Sequence, residues 1–537
     1  MFLIALSPIL WLIIALSVLK IAAYKACPIA LVIALAAGIF VNDMTIPHAV
    51  EATLEGVALA CWPILLVIIA AIFTYNLTLQ TKAMDTIKKM LTSVSNDRRV
   101  LILLIGWGFG GFLEGMAGFG TAIAIPAGML AGIGINPVLA AMVCLIANSV
   151  PTAYGSIGIP IVTLGNVTGI DPIQLATYTA LQLAPLTILC PFLMVIVASH
   201  GLKGLKGMML MCLMAGVGFS AVEMAIAMFM GPELAVVGGS ITAMAAVIGC
   251  AKLSPVNDPE YSLPPHDDEA PITAGTAIRA WMPFILIFVF LLMTSKLIPA
   301  IHDPLNLIKT SVLIYDGPGG EPYTFTWLAT PGVLILLAAY IGGAIQGAGF
   351  GSMTGCLRRT VWNLRFTIIT IITVIATAKV MGYAGMTHAI ADTAVAATGT
   401  MYPFIAAFIG SVGTFITGSA TSSCVLFGKL QTDSAMAIGA SESVQAWIAA
   451  SNPLGACAGK MISPQNIAIA VAAIGTVGCE GKLLHFASRS TSRSSSSWDA
   501  SSTSASPSSA EPHQTGKAFP IRGRLFSRLV VYYNYCV

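Results

Sequence analysis

Charge is what this chain has least of. Only 9% of its 537 residues are Asp, Glu, Lys or Arg, against about 25% in an ordinary soluble domain. So little charge cannot coat a water-soluble globule of this size. The net charge of +3 is small and spread over loops, which does not suggest a nucleic-acid-binding face. The eleven cysteines form no Cys-x-x-Cys pair and read as buried free thiols. No His, Cys and carboxylate spacing of a metal site occurs, so no metal or cofactor is expected. Gly106-x-Gly108-x-x-Gly111 matches a dinucleotide fingerprint but lacks a surrounding βαβ unit, and Gly455–Lys460 is one residue short of a phosphate loop. The chain does not read as an enzyme. Its polar stretches near 252–279 and 300–330 are too short for the output domain of a membrane sensor or scaffold.

What is present is apolar sequence in long blocks. Hydrophobic residues make up 57% of the chain, and a membrane-crossing helix needs roughly 20 of them in succession. Phe2–Leu19, Ala60–Leu79, Ala180–Ser199, Leu234–Ala251, Trp281–Pro299, Pro331–Ile345 and Phe366–Gly385 qualify, and shorter runs include Cys27–Val41 and Pro137–Val150. By length this is an all-α polytopic membrane protein with about 12–13 membrane segments. Phe2–Leu19 has no basic start and no small-residue cleavage site, so it reads as the first span. Basic residues mark the cytoplasmic loops. Lys20, Lys25, Lys82, Lys88, Lys89, Arg98, Arg99, Lys203, Lys206, Arg358, Arg359 and Arg365 place the N-terminus outside. The expected units are a first membrane half (1–251), a cytoplasmic connection (252–280), a second half (281–486) and a tail (487–537).

Two regions read alike. Gly111-Phe-Leu-Glu114-Gly115-Met-Ala-Gly118 is echoed by Thr414-Phe-Ile-Thr417-Gly418-Ser419-Ala-Thr421. Downstream, Asn148-Ser149-Val-Pro151 leading to Gly158-Ile-Pro160 is echoed by Ser451-Asn452-Pro453 leading to Ile462-Ser463-Pro464. The first region is approached from an inside loop and the second from outside, as inverted-topology repeats require. Irregular backbone at membrane depth survives only where it is buried in protein or lines a wet cavity. The seven glycines between Gly106 and Gly120 therefore mark either close helix packing or a broken segment at a site. Glu114 sits among them as an intramembrane carboxylate. It reads as a hydrogen-bonding anchor or as a protonatable group that carries a proton with substrate. Thr417, Ser419, Thr421, Ser422 and Ser423 beside Gly418 suit an anion at a helix start, or else bond back to their own helices. Asn148 and Asn452 closely precede prolines, so both helices are expected to be interrupted there. Lys460 and Lys379 either snorkel to the interface or face a carboxylate substrate, and Arg279 reads as an interfacial anchor.

Together these stretches resemble the bacterial L-lactate permease family, which also covers glycolate uptake. The matching stretches are Gly111–Gly120, Asn148–Pro160, Val167–Asp171, Gly231–Leu234, Arg279–Phe284, Thr417–Ser423 and Gly459–Gln465, within a resemblance running from about residue 1 to 486. It implies a symporter moving L-lactate, glycolate, D-lactate or a similar 2-hydroxymonocarboxylate with a proton across the cytoplasmic (inner) membrane, its partners being substrate, protons and lipid. A monocarboxylate or anion channel and a sodium-coupled carboxylate transporter are the alternatives. The site expected on residues and resemblance together is Gly115, Asn148, Ser149, Thr417, Gly418, Ser419, Thr421, Ser422, Ser423, Asn452 and Lys460 around substrate, with Glu114 for proton coupling. After Phe486 the Ser-rich sequence departs from the family pattern and reads as disordered. Its abrupt onset reads as an altered reading frame, with a natural tail as the alternative.

Overall fold

A computed structural model describes residues 2–19, 21–118, 120–256, 258–263, 272–295 and 297–474. The expected tail lies outside them. The described chain is helical apart from one short hairpin, in which Lys309–Val312 pairs antiparallel with Tyr323–Thr326. Among the described residues, eight helices are long and apolar enough to cross a membrane, or nine with the bent pair Pro137–Ser149 and Pro151–Thr168 counted as one span. Shorter apolar helices such as Thr121–Gly132, Pro331–Ile345 and Tyr402–Phe415 complete the set. Fewer helices meet the full crossing length than the apolar runs imply, because several runs are short or broken. Ile46–Gln80, for example, is kinked at Trp62, where the backbone turns extended (φ −137°, ψ 112°) before Pro63.

The loops gather on two faces. On one, Arg359 donates to Gln80 at 2.7 Å, Thr81 bonds Gln346 and Arg279 donates to the Ile345 carbonyl. There too the buried Arg99 guanidinium holds the Gly204 carbonyl at 3.0 Å, pairs with Asp97 at 2.7 Å and lies over the Tyr261 ring at 4.0 Å. On the opposite face Asn42 donates to the Ala384 carbonyl at 2.6 Å and His48 approaches Asp316 at 3.4 Å. A cavity of about 220 Å³ on that face is edged by Asp171, Glu233, His302 and Asn306. Loops rich in Lys and Arg thus share one side and the acidic loops the other.

The two repeats are inserted from these opposite faces. Arg98–Met116 runs from the basic face, breaks at Ala117–Gly120 and returns as Thr121–Gly132. A crossing helix follows, bent by 59° between Pro137–Ser149 and Pro151–Thr168, and ends beside Asp171 on the acidic face. In the second repeat Tyr402–Thr417 breaks at Gly418–Ser419 and returns as Ala420–Ala437. The next crossing helix, Glu442–Ile462, starts toward the acidic face, where Gln182 donates to the Trp447 carbonyl. It breaks at Ser463 and resumes as Pro464–Ala473. Each crossing helix packs one of its halves on the other repeat's hairpin: Gly155–Thr168 lies on Ala420–Ala437, and Pro464–Ala473 on Thr121–Gly132.

One expectation needs correcting, and one open alternative is narrowed by the packing. The chain is not interrupted at Asn452, since Glu442–Ile462 is helical straight through Pro453. A proline in a helix forfeits one hydrogen bond and crowds the preceding turn, but here tight packing holds the helix. A Cβ on Gly410 would strike the Asn452 carbonyl, one on Gly455 the Ala407 carbonyl, and one on Gly459 the Ser411 carbonyl. These glycines let two backbones approach closely, as small residues do between membrane helices. Similarly, Gly106, Gly108, Gly111 and Gly115 lie within unbroken, fully buried helix. They admit Met194, Met244, Ser240 and Val237 respectively. Among the described residues, Gly118 (φ 60°) and Gly120 (φ 83°) shape the break itself.

Candidate functional site

Both hairpin breaks and both crossing-helix breaks open onto one cavity of about 320 Å³. The first repeat supplies Glu114, Gly120, Thr152, Gly155 and Ser156; the second supplies Thr417–Ser422, Lys460, Gln465 and Asn466. The remaining wall comes from Ala23 and Tyr24 and from Phe366, Thr367, Thr370 and Ile371. These residues lie in the opening turns of two helices that rise from the basic face. The Tyr24 and Phe366 rings meet there, with centroids 4.3 Å apart.

Glu114 and Lys460 join the two repeats across this cavity. Lys460 Nζ donates to Glu114 Oε1 at 2.5 Å, with side-chain exposures of 8% and 3%. Asn148, at the end of the first half of its crossing helix, donates through Nδ2 to Glu114 Oε2 at 2.8 Å. Its own Oδ1 is buried without a partner. Gly155 leaves room for the carboxylate: a Cβ there would sit 2.6 Å from Glu114 Oε1. A buried pair this well made is costly to break from one side, about 3–5 kcal/mol when one partner is removed. Among the described residues, Glu114 and Lys460 are, apart from the Tyr24 phenol, the only ionisable groups lining the cavity.

The wall is otherwise polar and dipolar. Ala420–Ala437 begins at the cavity, its first turn capped by Ser419 Oγ accepting from the Ser422 amide at 3.2 Å. A helix start concentrates partial positive charge and suits an anion. Thr421 and Ser422 hydroxyls face this space with no hydrogen bond among the described residues, whereas Thr417 Oγ1 is committed to the Gly413 carbonyl at 2.8 Å. Gly418 (φ 70°) presses against Gln465. In the first repeat Ser156, Ile157 and Gly158 all have positive φ (49°, 60° and 71°), at about 1–3 kcal/mol of strain for each non-glycine. This conformation turns Ser156 Oγ onto the Ala117 carbonyl at 2.9 Å, tying one break to the other.

The other expected site residues lie behind the wall. Gly115 packs on Val236 and Val237. Ser149 bonds the Ile146 carbonyl, and Ser423 bonds the Gly410 carbonyl across the second hairpin. Asn452 meets Gln431, which also binds Tyr402. Lys379 neither snorkels nor reaches the cavity; it pairs with the buried Glu55 at 2.7 Å, which Tyr383 also bonds. Sequence reasoning passed over Thr152, Gly155, Ser156, Gln465 and Asn466, although polar runs between the halves of broken helices signalled them. Tyr24 and Phe366 carry no such signal. His48, Glu51 and Asp316 bring ligand-type atoms within 4.8 Å of one another, a grouping invisible to spacing because Asp316 arrives from a distant loop.

Comparison with known proteins identifies the family. The L-lactate permease family pattern matches residues 1–490. The chain is 42% identical to an L-lactate permease of Streptococcus iniae, over 80% of this chain and 90% of that one. It is 34% identical to the glycolate permease GlcA of Escherichia coli (strain K12), over 90% and 92%, and 32% identical to an L-lactate permease of Bacillus subtilis (strain 168), also over 90% and 92%. Among solved structures it resembles MtrF of Neisseria gonorrhoeae at a TM-score of 0.43 and 12% identity, covering 82% of this chain and 80% of that chain. That likeness is too slight to support an argument. On the family match and the curated relatives, the chain belongs to the L-lactate permease family.

Proposed function

We propose that this protein imports L-lactate and related small 2-hydroxymonocarboxylates, glycolate and D-lactate among them, together with protons. The membrane is the cytoplasmic (inner) one, with the N-terminus outside and the basic loops inside. The observation that carries the reading is the shared cavity, in which a lysine, a helix start and uncommitted hydroxyls of the second repeat face a carboxylate of the first. A carboxylate suits Lys460 and the Ala420 helix start, and a 2-hydroxyl suits Thr421 and Ser422. Glu114 is the proton carrier, being the only carboxylate on the cavity wall among the described residues. The related glycolate and L-lactate permeases support the substrate class.

The test is uptake of labelled L-lactate into cells lacking their own lactate uptake, with unlabelled L-lactate, D-lactate, glycolate, pyruvate and succinate as competitors. Accumulation that is abolished by a protonophore and blocked by 2-hydroxymonocarboxylates is the expected outcome. Uptake that follows sodium instead, or flux that neither saturates nor shows counterflow, contradicts it.

A further inference from the structure

We propose that Lys460 is a shared counter-ion, held by Glu114 when the site is empty and by the substrate's carboxylate when Glu114 is protonated. The inference rests on the transport reading above and explains how proton and anion are forced to travel together.

Three observations carry it. First, the Lys460 ammonium has three donors, and among the described residues its only side-chain partner is Glu114 Oε1. It already lines the cavity, so an entering carboxylate meets it directly. Second, Glu114 can lose this partner and stay satisfied. As a carboxylate it accepts from Asn148 Nδ2, and the buried Asn148 Oδ1 is unpartnered. Turning the Asn148 amide over presents an acceptor to the O–H of protonated Glu114. One side chain therefore serves both protonation states.

Third, the site's charge closes only for coupled occupancy. Empty, it holds one carboxylate and one ammonium and is neutral. Loaded with substrate and proton, it holds a neutral acid, an ammonium and the substrate carboxylate, and is neutral again. Substrate alone leaves one negative charge in excess, and a proton alone one positive charge. Both excesses sit in a buried site, where an unpaired charge is strongly disfavoured. The remaining titratable groups nearby are the Tyr24 phenol on the wall, Cys457 one turn from Lys460, and Tyr154 and Glu223 beyond Cys457. Among the described residues none of them makes a hydrogen bond or ion pair with Glu114 or Lys460. The proton enters as H⁺ on Glu114 and leaves as H⁺, with no other bond made or broken. Because the pair also joins the first hairpin to the second crossing helix, substrate capture unties the two repeats at the moment of loading.

The test uses the full chain and its variants in proteoliposomes. In the wild type, apparent affinity for L-lactate falls by up to about tenfold per pH unit as pH rises, since one proton binds with each substrate. Glu114→Gln mimics the protonated acid. Its loaded site is neutral but its empty site is positive, so it exchanges internal for external lactate yet loses net uptake, and its affinity varies less than about twofold from pH 6 to 8. Lys460→Met, checked for folding by monodisperse elution, loses lactate-dependent thermal stabilisation at every pH. If Glu114→Gln keeps net, pH-dependent uptake, or Lys460→Met still binds lactate, the shared counter-ion is wrong while the transport reading stands. If Glu114→Gln fails to fold, the Lys460→Met binding result decides alone. A wild type that moves no 2-hydroxymonocarboxylate overturns the transport reading itself.

Discussion

At the scale of single residues, the hydroxyls on the cavity wall divide by what they already bond. Thr417, Thr152 and Ser156 spend their hydroxyls on backbone carbonyls, while Thr421 and Ser422 do not. Thr421→Ala and Ser422→Ala should therefore each raise the apparent substrate constant about threefold to tenfold, the worth of one hydrogen bond of roughly 0.7–1.4 kcal/mol. Saturation kinetics of lactate uptake measure this, and unchanged constants would remove these hydroxyls from recognition. Gly155→Ala should act through Glu114, because the added methyl occupies the carboxylate's place. Its expected signature is weakened proton coupling with protein still in the membrane. Glu114 and Lys460 were both visible in the sequence as costly intramembrane charges. Their pairing was not, because it joins residues 346 positions apart, and local sequence does not say which helix ends meet.

At the scale of elements, the hairpin breaks were legible where glycine and hydroxyl residues cluster, at Gly118–Gly120 and Gly418–Ser419. The second crossing helix was misread because Pro453 is a strong local breaker, yet Gly410, Gly455 and Gly459 hold that helix against Tyr402–Thr417. The real interruption, at Ser463, sits before Pro464, whose preceding residue is pushed to extended backbone; Ser463 has φ −61° and ψ 130°. Pro453→Ala should accordingly preserve transport. Gly455→Ala should lower stability by about 1–3 kcal/mol, the usual consequence of overpacking, because its methyl meets the Ala407 backbone. Thermal unfolding of the purified protein separates the two, and a transport-dead, well-folded Pro453→Ala would restore a functional role for that proline.

At the scale of the whole molecule, the fold gathers the loops on two opposite faces, and the positive-inside pattern proposes which of them is cytoplasmic. What it could not foresee is that the Tyr24 and Phe366 helix starts would wall the central cavity, since only the packing of distant spans brings them there. Sidedness is testable with Asp316→Cys and Ser352→Cys in a chain whose Cys61, Cys250, Cys479 and Cys536 are replaced by Ser. A membrane-impermeant maleimide should label the first in intact cells and the second only after permeabilisation; the reverse pattern would invert the orientation.

If one neutral site carries a carboxylate and a proton together, lactate entry must acidify the compartment it enters. Imposing an inward lactate gradient on proteoliposomes and recording internal pH tests this most directly. Internal acidification at about one proton per lactate is expected, as a charge-neutral loaded site requires. Lactate entry without acidification would contradict that neutral site.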